Sequence, residues 1–234
     1  MVERGFLWRD RQHAGVDLAK KLTHWRSRPG GVVVGLPRGG IVVGAELSAA
    51  LLLPLVSWSV RKLSHPTSPE LAIGAVAPGG VLIWDEPYLQ QWHLNAQLRR
   101  RLVIEADTEL QRRQRLYRDP PLSALKDCEL IVVDDGVATG MTVMAALQSL
   151  RQAQPKRLLL AVPVIDRRIA GRLRNQVDEL VALAEVDNLW AVGAWYELFD
   201  PVPDQEVQHL IAAHSWDSAS TVATPPPTGT ASQI

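Results

Sequence analysis

The chain has 234 residues, 25 basic and 25 acidic side chains, and no formal net charge. That balance argues against a nucleic-acid-binding module, which draws affinity from a basic excess, and against an acidic disordered regulator. Apolar residues make up 47% of the sequence, enough for one large domain or two small ones, and the single cysteine, Cys128, excludes an internal disulfide. Met1 to Gly5 carries no apolar signal region, and the longest apolar stretch, Ile41 to Val56, is broken by Glu46 and too short for a bilayer. A cytoplasmic protein with no membrane or nucleic-acid partner is the expectation. Of the 25 bases, 20 are Arg and 5 are Lys. Arg suits bidentate anion recognition, although GC-rich coding produces the same bias.

In chain order, Asp10 to Arg26 has Ala14, Leu18, Leu22 and Trp25 at helical spacing and ends at Pro29-Gly30-Gly31. Val32 to Gly35 is a short apolar run of the kind buried on both faces of a sheet. Leu36-Pro37-Arg38-Gly39-Gly40 reads as a loop, Ile41 to Leu53 as a helix and Leu55 to Val60 as a second strand. Arg61 to Leu71, polar and with two prolines, reads as a loop, and Ala72 to Trp84, broken at Pro78-Gly79-Gly80, as a hairpin. Glu86 to Arg118 is one long periodic segment with seven arginines from Arg99 onward. Its interspersed acids favour a solvated face or a dimer contact over a nucleic-acid surface. Leu130 to Val133 is a third strand, followed by a helix from about Thr142 to Gln152, a strand Arg157 to Val164, a helix Arg167 to Asn175 and a strand Glu179 to Leu183. Repeated strand–loop–helix units predict an α/β fold with a doubly wound, mostly parallel sheet. The Ser/Thr/Pro-rich residues 216–234 are expected to be a disordered tail.

Leu130-Ile131-Val132-Val133-Asp134-Asp135-Gly136-Val137-Ala138-Thr139-Gly140-Met141-Thr142 carries the chemistry. Four apolar residues end in paired carboxylates, and a loop of small and hydroxylic residues then opens a helix. Ligands of open α/β sheets sit at the carboxyl ends of strands. The N–H groups of Ala138 to Thr142, with the Thr139 and Thr142 hydroxyls, can surround a phosphate at a helix N-terminus. Two carboxylates beside it suit hydroxyl groups, directly or through a divalent metal. A phosphate and a vicinal diol so disposed describe a ribose 5-phosphate.

This run resembles the phosphoribosyl pyrophosphate (PRPP) signature of type I phosphoribosyltransferases. Leu36 to Gly40 is similar to that family's short pyrophosphate loop, although Pro-Arg-Gly-Gly alone is only a turn. Arg61-Lys62 sits where the family carries a mobile loop, here about residues 62–73, although a solvated basic pair is as good a reading of the two residues alone. Phe6-x-x-Arg9-Asp10-Arg11-x-x-Ala14-Gly15, Pro69 to Ala75, and Val192-Gly193-x-Trp195-Tyr196-x-x-Phe199 extend the likeness to a bacterial branch of the family. The resemblance implies a transferase domain over residues 5–215, with a small hood subdomain at about 184–212 plus the N-terminal segment. It implies PRPP and a small-molecule acceptor as substrates, Mg²⁺ as cofactor, and a homodimer as a common assembly.

Residue by residue, the resemblance assigns the ribose and metal shell to Asp134 and Asp135, the metal contact being indirect. The 5-phosphate falls to Ala138, Thr139, Gly140, Met141 and Thr142. The pyrophosphate falls to Arg38, Gly39, Gly40, Arg61 and Lys62, with Lys62 and Glu70 in the loop near the chemistry. Trp190 takes the base-stacking position, or else packs the subdomain with Trp195 and Tyr196. Two departures bear on the acceptor: Ala138 stands where 6-oxopurine transferases carry an aspartate, and Pro163-Val164-Ile165-Asp166-Arg167 lacks their carbonyl-recognising lysine. A sensor that binds PRPP or a nucleotide without turnover is the alternative reading.

Overall fold

The computed structural model describes residues 6–92 and 94–214, without the side chains of 69–71, 91 and 92. The expected tail, 216–234, lies outside the described residues. Helix α1 (Arg11–Lys21) begins at Asp10, whose carboxylate accepts from the His13 N–H at 2.8 Å, and ends in a 3₁₀ turn, Thr23–Trp25. Strand β1 (Gly31–Gly35) leads into α2 (Gly39–Leu51), which starts two residues earlier than the apolar pattern suggests, and β2 (Leu55–Ser57) follows. After an inserted subdomain come β6 (Glu129–Val133), α5 (Met141–Arg151), β7 (Arg157–Asp166), α6 (Arg167–Leu173), β8 (Glu179–Val186) and α7 (Asp204–Ala213).

The main sheet has the order β2-β1-β6-β7-β8 with every pair parallel, as the strand–helix alternation predicts. Its strands are apolar at successive positions because both faces are buried. Val32, Val34, Leu130, Val132, Leu158 and Leu160 pack toward α5 and α6. Val33, Ile131, Val133, Leu159 and Ala161 pack toward α1, α2 and α7. Opposite parities on one strand thus serve opposite layers. No helix among the described residues is long and apolar enough to cross a membrane.

Two expectations are corrected. The stretch Arg61 to Leu71 is not a loop. Strands β3 (Arg61–His65) and β4 (Ser68–Ala77) form an antiparallel pair turned at Pro66-Thr67, and β5 (Val81–Trp84) completes a three-stranded sheet. Its register jumps from Ser68 opposite His65 to Ala72 opposite Ser64, an irregularity that accommodates Pro69. The expected hairpin at Pro78-Gly79-Gly80 is the β4–β5 turn. The long segment Glu86 to Arg118 is two helices, α3 (Glu86–Trp92) and α4 (Ala96–Tyr117). The Asn95 carboxamide accepts from the Leu98 N–H at 2.8 Å and so starts α4 afresh.

Helix α4 packs Ala106 and Leu110 against Leu63, Ile73 and Val76 of the small sheet. On its flank Glu109 accepts hydrogen bonds from Arg112 at 2.7 and 3.0 Å and from Arg113 at 2.8 Å. Those bonds, Arg112 first, hold its carboxyl down to about 2 from an ordinary 4.5. A carboxyl depressed in the folded state contributes stability above its unfolded pKa and loses it as pH falls toward the folded value. Glu109→Gln should therefore flatten the fall in melting temperature between about pH 5 and pH 2 and cost about 1 kcal/mol at pH 7, solvent screening at 28% exposure limiting the figure. An unchanged acid limb in thermal melts would contradict this.

Candidate active site

Register brings the site together. Gly35 pairs with Val133, so the loop leaving β1 and the acid pair leaving β6 begin at the same level of the sheet. The approach is close enough to demand glycine. A Cβ on Gly40 would lie 2.5 Å from the Val133 carbonyl and 2.9 Å from the Asp134 Cα, and one on Gly39 would run into the Asp135 carboxylate. The Pro37–Arg38 peptide in this loop is cis.

Burial pushes the Asp134 carboxyl well above the usual carboxylate range, and the neighbouring Asp135 charge adds to the shift. Asp134 Oδ1 accepts from the Asp135 N–H at 2.9 Å. Burial also raises Asp135, against the opposing pull of Arg11, whose Nε donates to Asp135 Oδ2 at 2.7 Å. The Asp135 backbone carbonyl accepts from the Tyr196 hydroxyl at 2.6 Å. No group of three or more His, Cys, Asp and Glu among the described residues could hold a metal by itself. Two adjacent carboxylates suit Mg²⁺ that keeps waters and takes its remaining ligands from a phosphorylated substrate.

Ala138 to Thr142, two residues further on, are the candidate anion cradle. Val137 bridges to β7: its N–H donates to the Val164 carbonyl and its carbonyl accepts from the Asp166 N–H, each at 2.9 Å. That bridge draws the loop over the carboxyl end of the sheet. Gly140, at φ +75°, caps α5, and no side chain satisfies the helix N-terminus. The first-turn N–H groups of α5 have no intrahelical acceptor by geometry, so Met141 and Thr142 present donors beside the hydroxyls of Thr139 and Thr142. The loop's Ala138 is half-buried against the hood and Met141 is buried.

The cations divide. Arg38 stands at the start of α2 and pairs with Asp204 at 3.6 Å, a carboxylate that also accepts from the Tyr117 hydroxyl at 2.6 Å and faces Arg112 at 3.7 Å. Arg61 is half-buried on β3 among Arg113, Glu109 and Arg112 of α4, its charge opposed first by burial and then by Arg113. It therefore faces α4, on the same side of β3 as Leu63. Lys62 alternates to the opposite face of β3. Glu70 lies in β4, with its side chain outside the described residues.

The segment expected as a hood, 184–212, divides as well. Strand β8 continues the main sheet to Val186, and Val207 of α7 returns to the core with α2. The intervening stretch packs Leu189, Val192, Trp195, Tyr196 and Phe199 against Trp8 and Ala14. Trp190 is 93% exposed, so it does not pack this subdomain. Its neighbour Leu189 donates its N–H to the buried Asp166 carboxylate at 3.1 Å. Asp166 thus fixes the stretch that bears Trp190.

Arg11, Asp166 and Asp204 are site neighbours with no role read from the sequence, and Tyr196, read only as packing, does pack there. Arg11, Asp166 and Tyr196 lie within quoted stretches, but no spacing connects residue 11 with residue 135.

Residues 11–195 match the model of the phosphoribosyl transferase domain. A Mycobacterium tuberculosis H37Rv protein provisionally named a phosphoribosyl transferase is 38% identical over 202 residues, covering 86% of this chain and 45% of its own length, so the chain spans about half of that relative. The crystal structure of TT1426 from Thermus thermophilus superposes with a TM-score of 0.70 at 37% identity, over 89% of this chain and 99% of that one.

Proposed function

From a chain that belongs to the phosphoribosyl transferase family, and from the acid pair of β6 set before the uncapped N-terminus of α5, we propose that this site transfers the 5-phosphoribosyl group of PRPP to a nitrogen acceptor with release of pyrophosphate. The juxtaposition of carboxylates and cradle carries the reading. The 5-phosphate sits on Ala138, Thr139, Gly140, Met141 and Thr142, where helix N–H groups and hydroxyls replace its water. The ribose diol faces Asp134 and Asp135. Gly39 and Gly40 bring backbone to the pyrophosphate, and Arg38 turns to it from Asp204. Lys62 is a cation that the small sheet contributes, and Glu70 stays an acid–base candidate of the same sheet. Arg61, beside Arg112 and Arg113 of α4, stays a candidate for the pyrophosphate from the same sheet.

Bond breaking at C1 runs ahead of bond making, so the sugar gains oxocarbenium character and the departing pyrophosphate gains charge. Catalysis then rests on donors and cations aimed at that charge. Asp134 and Asp135 are the residues that would hold Mg²⁺, which would supply charge neutralisation. On the acceptor side Trp190 offers an open aromatic face. Ala138 carries no proton acceptor, and Asp166 is committed to the Leu189 N–H, so the acceptor is a heterocycle whose reactive nitrogen needs no base at position 138.

A panel of purines, pyrimidines and pyridines, each with PRPP and Mg²⁺, should yield one acceptor that releases pyrophosphate. Tight PRPP binding with no release across the panel would replace turnover by the sensor reading.

A further inference from the structure

Arg11 lies in no phosphate or metal motif, yet it joins a carboxylate, a backbone carbonyl and an aromatic ring at the site. Asp10 fixes the start of α1 and so places Arg11 at the seam of three segments. Its Nε donates to Asp135 Oδ2 at 2.7 Å, and its Nη1 donates to the Asp200 carbonyl at 2.9 Å. Its guanidinium carbon lies 3.7 Å above the centroid of the Phe199 ring. The side chain is 11% exposed, so these contacts operate with little competing water. The same hood segment holds the other side of Asp135: Tyr196 donates to its carbonyl, stacks on Phe199 at 5.0 Å and tilts against Trp8 at 5.6 Å. The two chain segments are also tied through backbone, Glu197 N–H to the Trp8 carbonyl and Leu198 N–H to the Arg9 carbonyl.

A planar guanidinium reaches two acceptors at fixed angles, which an ammonium does not. Bound by Arg11 at Oδ2, Asp135 has one rotamer and presents Oδ1. We propose that Arg11 is a positioning residue for the sugar site, which orients Asp135 and locks the acid pair to the hood segment Tyr196 to Asp200 as one unit. The inference rests on the PRPP reading above. It adds that the acceptor-side hood and the ribose-side acids are set by one side chain that belongs to neither.

The test is PRPP affinity with Mg²⁺, measured by calorimetry on the full chain and on Arg11→Ala and Arg11→Lys, with and without guanidinium chloride at tens of millimolar, sodium chloride matching the ionic strength. Losing a charge-assisted bond weakens binding about 10- to 100-fold. Arg11→Ala should show that loss, and guanidinium, filling the vacated place between Asp135, Asp200 and Phe199, should restore part of it where sodium chloride does not. Arg11→Lys should bind several-fold more weakly than wild type at an unchanged melting temperature. Arg11→Ala with wild-type affinity, or weakened but indifferent to guanidinium, would reduce Arg11 to a support of the fold and overturn the inference. If Arg11→Ala does not fold, wild-type affinity in Arg11→Lys overturns it. Wild-type protein that does not bind PRPP refutes the PRPP reading itself, and the inference with it, an outcome distinct from the others.

Discussion

Asp134→Asn combined with Asp135→Asn is expected to abolish Mg²⁺-dependent PRPP binding. Hydrogen bonds to a charged partner contribute roughly 1.5–3 kcal/mol each, so losing two costs roughly 3–6 kcal/mol, about 10²- to 10⁴-fold in affinity. The two substitutions differ in what they do to the fold. Burial already holds the Asp134 carboxyl high, so an amide of the same shape there costs little stability. Asp135→Asn keeps an acceptor for Arg11 but leaves its charge without a counter-charge at a poorly solvated position, and breaking a buried pair from one side costs up to about 3–5 kcal/mol. Asp134→Asn alone is thus the clean variant: wild-type melting with weakened PRPP binding. Unchanged PRPP affinity in the double variant, measured below its melting temperature, would contradict the assignment of the acid pair.

The second large effect is expected at Gly39. An added Cβ meets the Asp135 carboxylate and lies 2.8 Å from Arg11 Nε, neither of which is a free flexible end because each holds the other. Overpacking at such a place costs about 1–3 kcal/mol, and relief must come by moving the loop between β1 and α2 away from the acid pair. Gly39→Ala should therefore lower the melting temperature and lose PRPP binding together. Gly80→Ala is the comparison. Gly80 has positive φ, but an added Cβ meets nothing there, so that variant should cost some stability and leave PRPP binding intact. Gly39→Ala that binds PRPP as wild type would show that loop and acid pair do not act as a packed unit.

What the sequence made legible follows from where its signals are local. The main strands were readable because burial on both faces leaves uninterrupted apolar runs such as Val32-Val33-Val34 and Leu130 to Val133. The loop from the acid pair into α5 was readable because acids, glycine and hydroxyls are contiguous. Of the small sheet the β4–β5 hairpin was readable and β3 with the start of β4 was not, because β3 is short and partly exposed and Pro66 and Pro69 are turn signals that here occupy a hairpin turn and a register irregularity. The break between α3 and α4 was marked by Asn95, whose capping role periodicity alone does not weigh. The α4 face that Arg61 meets, with Glu109 nearby, was not legible because only the tertiary structure brings it to β3. Arg11 is the plainest case, since its partners lie 124 and 189 residues away. The seven arginines from Arg99 to Arg118 now divide: Arg112 and Arg113 brace Glu109, Arg112 also faces Asp204, and Arg101 pairs with Glu105 on the exposed side.

The account stands or falls on PRPP occupying the carboxyl end of β6, and a crystal structure of the full chain grown with PRPP and Mg²⁺ tests it most directly. The 5-phosphate should lie on the N–H groups of Ala138 to Thr142, the diol against Asp134 and Asp135, and the pyrophosphate against Gly39, Gly40 and an Arg38 turned away from Asp204. Saturating PRPP that leaves this cradle without phosphate density, or that binds elsewhere on the chain, would contradict it.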